Sequence, residues 1–243
     1  MPRYFFEISY DGTHYLGWQK QTKGSTVQGN IENALSKLCS MKPVSIMGCG
    51  RTDTGVHAKK YFFHTDFDTQ IDVDEYRYKL NIMLDKTIAV HDIFPVSDDF
   101  HARFSAIQRT YKYFIHFYKD AFKENKSWWI SQELDLTQMK KAAKLLIGEI
   151  DFEAFAKKHT DVKTHICAVT KADFILKDGG LIFEISANRF LRNMVRSVVG
   201  TLIEVGLKKM SVEEFRQVIA SKSRKNARAS APAAGLFLWD VVY

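Results

Sequence analysis

Residues 108–118, QRTYKYFIHFY, place Tyr111, Tyr113, Ile115 and Phe117 at every second position. Successive side chains of a strand point to opposite faces, so a period of two predicts a long strand with one apolar face. The same alternation marks 3–10, RYFFEISY, where Tyr4, Phe6, Ile8 and Tyr10 share a face. Between such stretches the period changes. Val27, Ile31, Ala34, Leu35 and Leu38 recur at helical spacing and predict a helix over 26–39, with Ser25 and Gln28 at capping-box spacing.

The rest of the chain continues this switching. VSIMGCG (44–50) reads as a buried strand, KKYFFHTDF (59–67) as another, and IAVHDIFPV (88–96) as a third that ends at Pro95. Asp72 and Glu75 open a second helix whose apolar stripe is Val73, Tyr76, Leu80 and Leu84. A helix is expected over 137–147, stopped by Gly148. The segments 168–176 and 181–188 flank the DGG turn at 178–180 and suggest a hairpin. Residues 189–205 read as a long amphipathic helix stopped by Gly206, Ser211 and Glu214 form a capping box for a last helix, and GLFLWDVVY is a terminal strand. Strands and helices recur in the same order in each half. The expected fold is α+β, a mostly antiparallel central sheet flanked by helices, in two similar halves of approximately 1–104 and 105–243. With no low-complexity linker between them, 1–243 is expected to act as a single catalytic unit.

The formal charge is +7, from 35 Lys+Arg against 28 Asp+Glu, which favours a polyanionic partner. The three cysteines, Cys39, Cys49 and Cys167, form no CxxC pair, so a disulfide framework or zinc ribbon is not expected and a reducing compartment fits. No apolar run reaches the length of a membrane span. The expectation is a cytoplasmic protein with no membrane contact.

The loop GCGRTDTGVHA (48–58) holds Arg51, Thr52 and Asp53 between glycines. Glycines let a backbone bend sharply and let a bulky ligand approach. A carboxylate beside an arginine stays ionised at neutral pH and can act as a nucleophile or a base. The plainer alternative is a surface turn with an Arg–Asp ion pair. A dinucleotide-binding loop is excluded, because Asp53 stands where the third glycine would be and would repel phosphate.

Three further features suit a nucleic acid. Arg189, Arg192 and Arg196 fall in one sector of the expected 189–205 helix, with Arg189 and Arg192 in its opening turns, where cations oppose the helix dipole; the combined positive field suits an anion, either a phosphate or the Asp53 carboxylate, and the plainer alternative is a solvated basic face. Between Phe215 and Trp239 there is no acidic residue, while Arg216, Lys222, Arg224, Lys225 and Arg228 all occur, the pattern of a stretch that tracks phosphates. FHARFSA (100–106) sets His101 and Arg103 between aromatics, with Arg109 and Tyr111 following. An aromatic beside cations can stack on a base while the cations hold phosphates. Against an enzyme of this kind stand two rivals: a non-catalytic basic RNA-binding protein with no use for Asp53, and a metal-dependent nuclease built on Asp66, Asp68, Asp72 and Asp74 with His64.

Taken together, five segments in order resemble the TruA family of tRNA pseudouridine synthases: YDGTHYLGWQ (10–19), GCGRTDTGVHA, FHARFSAIQRTYKY, FLRNMVRSVVGTL and APAAGLFLWDVVY. Cys49 and Thr54 depart from the usual alanines, and KKHTDVKTHIC (157–167) is less like the common pattern. The resemblance implies isomerisation of uridines at positions 38–40 of the tRNA anticodon arm. It places the nucleophile at Asp53, the active-site tyrosine at Tyr111 and the active-site arginine at Arg196, where it would pair with Asp53. Arg51 is a second candidate for that pairing or for holding the flipped nucleotide. It also implies a homodimer with one tRNA contacting both subunits, and neither a metal nor an organic cofactor.

Overall fold

The computed structural model describes residues 1–157 and 162–243, so the divergent 157–167 segment is covered only in part. The described chain divides into two compact units, Met1–Ile107 with Phe237–Tyr243, and Gln108–Leu236. Each is α+β, with a mostly antiparallel sheet and helices.

The first unit begins with β1 (Arg3–Tyr10), followed by α1 (Val27–Leu38), the two-residue β2 (Met47–Gly48), β3 (His57–Asp66), α2 (Val73–Met83) and β4 (Ile88–Val96). β1 runs antiparallel between β3 and β4. Its aromatic alternation is only half of its pattern: Phe5 is as buried as Phe6, because Phe5 packs against His64, Phe100 and Tyr243 on the opposite face. Pro95 sits inside β4, paired with Tyr4, which an edge strand tolerates because its outer N–H row has no neighbour to lose.

The N-cap of α1 is Thr26, whose Oγ1 accepts from the Gly29 amide at 3.2 Å, and not Ser25. Gln28 turns inward instead and donates to Glu32 Oε1. Within the 44–50 run the strand is just Met47–Gly48, paired with His64 and Phe63 of β3, with the Cys49 amide also donating to the Phe62 carbonyl, and Met47 is exposed. Gly48 passes so close to Tyr61 and Trp18 that a Cβ would lie 2.1 Å from the Tyr61 hydroxyl.

The second unit comprises β5 (Gln108–His116), β6 (Trp128–Trp129), α3 (Leu136–Lys144), β7 (Gly148–Asp151), β8 (Ile166–Lys177), β9 (Gly180–Ala187), α4 (Met194–Gly206) and α5 (Val212–Ala220). β5, β9, β8 and β7 are antiparallel neighbours in that order. The DGG turn joins β8 to β9 with Asp178 and Gly179 at positive φ, as a tight hairpin requires. The Ser211–Glu214 capping box is complete, with donors and acceptors reciprocally satisfied. Leu202, Val198 and Val199 of α4 are fully buried with Phe215 of α5. The chain then ends in β10 (Leu236–Val242), which from Phe237 belongs to the first unit and runs parallel to β3 through Phe237–His57 and Leu238–Ala58.

The long helix is shorter than its apolar spacing predicts. It starts at Met194, after Asn193 takes the left-handed conformation at φ 64°. Arg189 and Arg192 therefore lie in the preceding loop, not in opening helical turns. Only Arg196 stands in the first turn of α4. No helix among the described residues is long and apolar enough to cross a membrane.

Candidate active site

In the first unit the loop between β2 and β3 is pinned by the segment that leaves β1. Thr52 is buried; its hydroxyl lies 2.8 Å from that of Tyr10, and its carbonyl accepts from the Trp18 amide at 3.2 Å. Beyond Asp53, the Val56 amide closes a turn onto the Asp53 carbonyl at 3.1 Å, and the Gly55 amide donates to the Tyr15 carbonyl at 3.3 Å. Gly55 adopts φ 76°, which a residue with a Cβ reaches only with strain. The Tyr61 hydroxyl donates to the Gly50 carbonyl. His57 is buried, stacked on Phe237, with Nδ1 3.1 Å from the Gly12 amide and 3.0 Å from Asp11 Oδ1.

Gly12 and Gly17 are where the two segments touch. A Cβ on Gly12 would stand 2.0 Å from the Val56 carbonyl oxygen, and one on Gly17, at φ 92°, 2.4 Å from that of Thr52. The backbone carrying Asp53 is thus fixed on both sides. The Asp53 side chain itself is half-buried, and Arg51 is exposed. A pinned backbone that presents a partly accessible carboxylate suits a group that must meet a substrate in one orientation. Tyr10, Gly12, Gly17 and Thr52 carry this arrangement, and sequence reading assigned them no role. The signal was the closeness of YDGTHYLGWQ and GCGRTDTGVHA to one family pattern, which says that both matter and not that they touch.

His101 and Arg103 also belong to the first unit. The His101 Nδ1 accepts from the amides of Arg103 and Phe104, so its imidazole caps a turn. Burial, Arg3 and Arg103 lower its pKa. That turn holds Phe104 in solvent, 74 % exposed, with the exposed Arg103 guanidinium 5.4 Å from its ring centre.

In the second unit Tyr111 lies on β5, half-buried, its ring edge-on to Phe190 at 5.0 Å. Arg109 Nη1 donates to the Asn188 carbonyl at 2.9 Å, next to Arg189. Arg192 is exposed, and its carbonyl accepts from the Lys157 amide. The acid-free stretch folds back along α4. Arg196 Nε donates to the Ala231 carbonyl at 2.8 Å, and the Ala231 amide returns a bond to the Arg196 carbonyl at 2.9 Å. Asn193 Nδ2 and Arg224 Nη2 both reach Ser230 Oγ. Gly200 permits the crossing, since a Cβ there would be 1.9 Å from the Ala229 carbonyl oxygen. The structure therefore brings Arg196 alongside the 224–231 segment.

Arg224 spends its guanidinium on the carbonyls of Ala227 and Arg228, shaping its own loop. Lys222 pairs with Asp151 at 3.1 Å, and Lys225 and Arg228 are exposed.

The acids of the nuclease reading are each occupied elsewhere. Asp66 pairs with Arg3, Asp68 with Lys42 and Asp74 with Arg77, while Asp72 caps α2. Among the described residues one group, Asp151, Glu153 and His165, brings its ligand atoms within 4.8 Å of one another. There Lys222 already supplies a cation to Asp151, whose other oxygen accepts from the Glu153 amide.

Residues 8–105 and 142–243 match the family described as tRNA pseudouridine synthase. Asp53 falls in the first matched segment and Arg196 in the second, while Tyr111 lies in the interval between them. A Porphyromonas gingivalis protein named tRNA pseudouridine synthase A is 44% identical over 100% of this chain and 98% of its own length. The protein of that name from Parabacteroides distasonis is 46% identical over 100% and 96%, and that from Bacillus subtilis 38% identical over 97% of each chain. This chain belongs to the tRNA pseudouridine synthase family.

Proposed function

We propose that this protein isomerises uridine to pseudouridine in the anticodon arm of tRNA, at positions 38–40, with Asp53 as the nucleophile. The observation that carries the reading is the half-buried Asp53 on a loop whose neighbours Thr52, Gly55 and Val56 are each hydrogen-bonded. A non-catalytic RNA-binding protein has no use for such a loop, and the relatives are named as synthases.

The reaction breaks the bond between ribose C1′ and uracil N1, turns the base, and rejoins it through C5. N1 gains a proton and C5 loses one, so atoms and electrons balance without a redox cofactor. The uridine must first leave its stack, at a cost of a few kcal/mol. Cations such as Arg189, Arg192, Lys225 and Arg228 are suited to offset this through phosphate contacts. Asp53 then attacks the ribose or, transiently, the base; Tyr111 stacks on the displaced uracil and assists a proton transfer; Arg196 supports the negative charge on which the step depends. The working form is a homodimer in the cytoplasm, with one tRNA touching both subunits. Incubation with unmodified tRNA followed by mapping of pseudouridine tests reaction and substrate together. Product outside positions 38–40, or none, refutes the reading.

A further inference from the structure

We propose that the hydroxyl pair of Tyr10 and Thr52 is a positioning device for the reaction, locking the backbone that carries Asp53; this rests on Asp53 being the nucleophile. The two oxygens are 2.8 Å apart in a buried setting, and the residues are 42 positions apart in the chain. Neither hydroxyl is needed to fold its own element. Tyr10 ends β1 with its ring already packed edge-on to Tyr61 at 5.6 Å and near Trp18 at 6.3 Å. Thr52 is in a loop with no regular ladder, where its carbonyl is bonded to the Trp18 amide. The side-chain bond therefore adds a second, differently directed tie at the residue immediately before Asp53.

With the carbonyl tie alone the Thr52–Asp53 peptide unit retains a pivot about that bond. With the hydroxyl tie it does not. Past Asp53, the Val56-to-Asp53 turn and the Gly55–Tyr15 bond close the other side. A nucleophile needs its attacking oxygen held within a fraction of an ångström of the productive path, and a 1 Å misplacement costs about 100-fold in rate. Tyr10 and Thr52 act on the rate through Asp53, not by touching tRNA.

The test uses the full-length protein in four forms, Tyr10→Phe, Thr52→Val, Thr52→Ser and the Tyr10→Phe/Thr52→Val double variant. The readouts are the single-turnover rate at saturating enzyme, which does not depend on the folded fraction, and tRNA affinity measured separately. Both single variants are expected to slow the step about 10- to 100-fold with tRNA affinity unchanged. The double variant should be no slower than the worse single one, because the same tie is removed in each case. Thr52→Ser, which keeps the hydroxyl, should recover most of the rate. Unchanged single-turnover rates in Tyr10→Phe and Thr52→Val, while Asp53→Asn is inactive, would overturn the inference and leave the nucleophile standing. Multiplicative losses in the double variant would overturn it as well. An active Asp53→Asn would remove the nucleophile assignment and the inference with it.

Discussion

Arg196 and Ala231 are joined by two hydrogen bonds in opposite senses, side chain to carbonyl at 2.8 Å and amide to carbonyl at 2.9 Å. An arginine at the third position of a helix sits where the dipole already presents positive charge, so its placement costs stability rather than adding it. The Ala231 carbonyl offsets this and fixes the plane of the guanidinium. Arg196→Ala is expected to lower kcat/KM on the order of 100-fold with little loss of tRNA affinity. Arg196→Lys should rescue little, because an ammonium lacks both the Nε–H and the planar fork. Equal losses of affinity and rate would mark Arg196 as a phosphate contact instead.

Tyr111 packs its ring edge against Phe190, a contact that Phe would reproduce. Tyr111→Phe therefore separates stacking from proton transfer. The expected result is normal tRNA affinity with turnover reduced on the order of 100-fold, the usual size of a missing general-acid or general-base contribution. A variant as fast as the parent would confine Tyr111 to stacking, and Tyr111→Ala would then be the slower of the two.

Two strands were legible because alternation is a local property: β1 and β5 lie where the period of two puts them. Capping signals were legible where one residue satisfied the geometry, as at Ser211, and ambiguous where Ser25 and Thr26 both had a hydroxyl to offer. The start of α4 was illegible for a definite reason. Phe190 and Leu191 continue the apolar spacing of the helix, and Leu191 is buried, yet Asn193 at positive φ breaks the backbone between them and Met194. Burial alone does not distinguish a helical residue from a loop residue packed on the same core. At the site, the loop that carries Asp53 was readable as a loop from the glycines that bound it. Its support from Tyr10 and Gly17 was not, since a hydrogen bond and a backbone approach across more than 30 residues leave no periodic trace.

The exposed cations of the 222–228 segment are expected to act on affinity through salt-dependent phosphate interactions. Replacing Lys225 and Arg228 by alanine should weaken tRNA binding and make the slope of log affinity against log salt shallower by about 1 to 2, since each neutralised phosphate adds roughly one or less to that slope. Arg224→Ala should behave differently. Its guanidinium ties the carbonyls of Ala227 and Arg228 and the hydroxyl of Ser230, so its removal should also lower the melting temperature. An unchanged salt slope in the Lys225→Ala/Arg228→Ala variant would remove this segment from the RNA path.

His64 makes the stability of the first unit depend on pH. Its buried Nδ1 accepts from the Ala102 amide at 3.1 Å, a bond that only the unprotonated nitrogen can make. Burial above all, then the positive charge of Arg3 and the neighbouring His101, lower its pKa to about 4 from the ordinary 6.5. Between those values the unfolded chain binds a proton that the folded chain refuses. Stability is then complete above about pH 6.5 and declines as pH falls toward 4, by up to about 2 to 3 kcal/mol. His64→Asn offers an amide oxygen near the place of Nδ1 and does not titrate. Melting temperatures measured from pH 7 to 4.5, above the range where Asp66 would lose its pairing with Arg3, should fall steeply for the parent and more gently for His64→Asn. Parallel decline of the two proteins would show that the proton is taken up elsewhere.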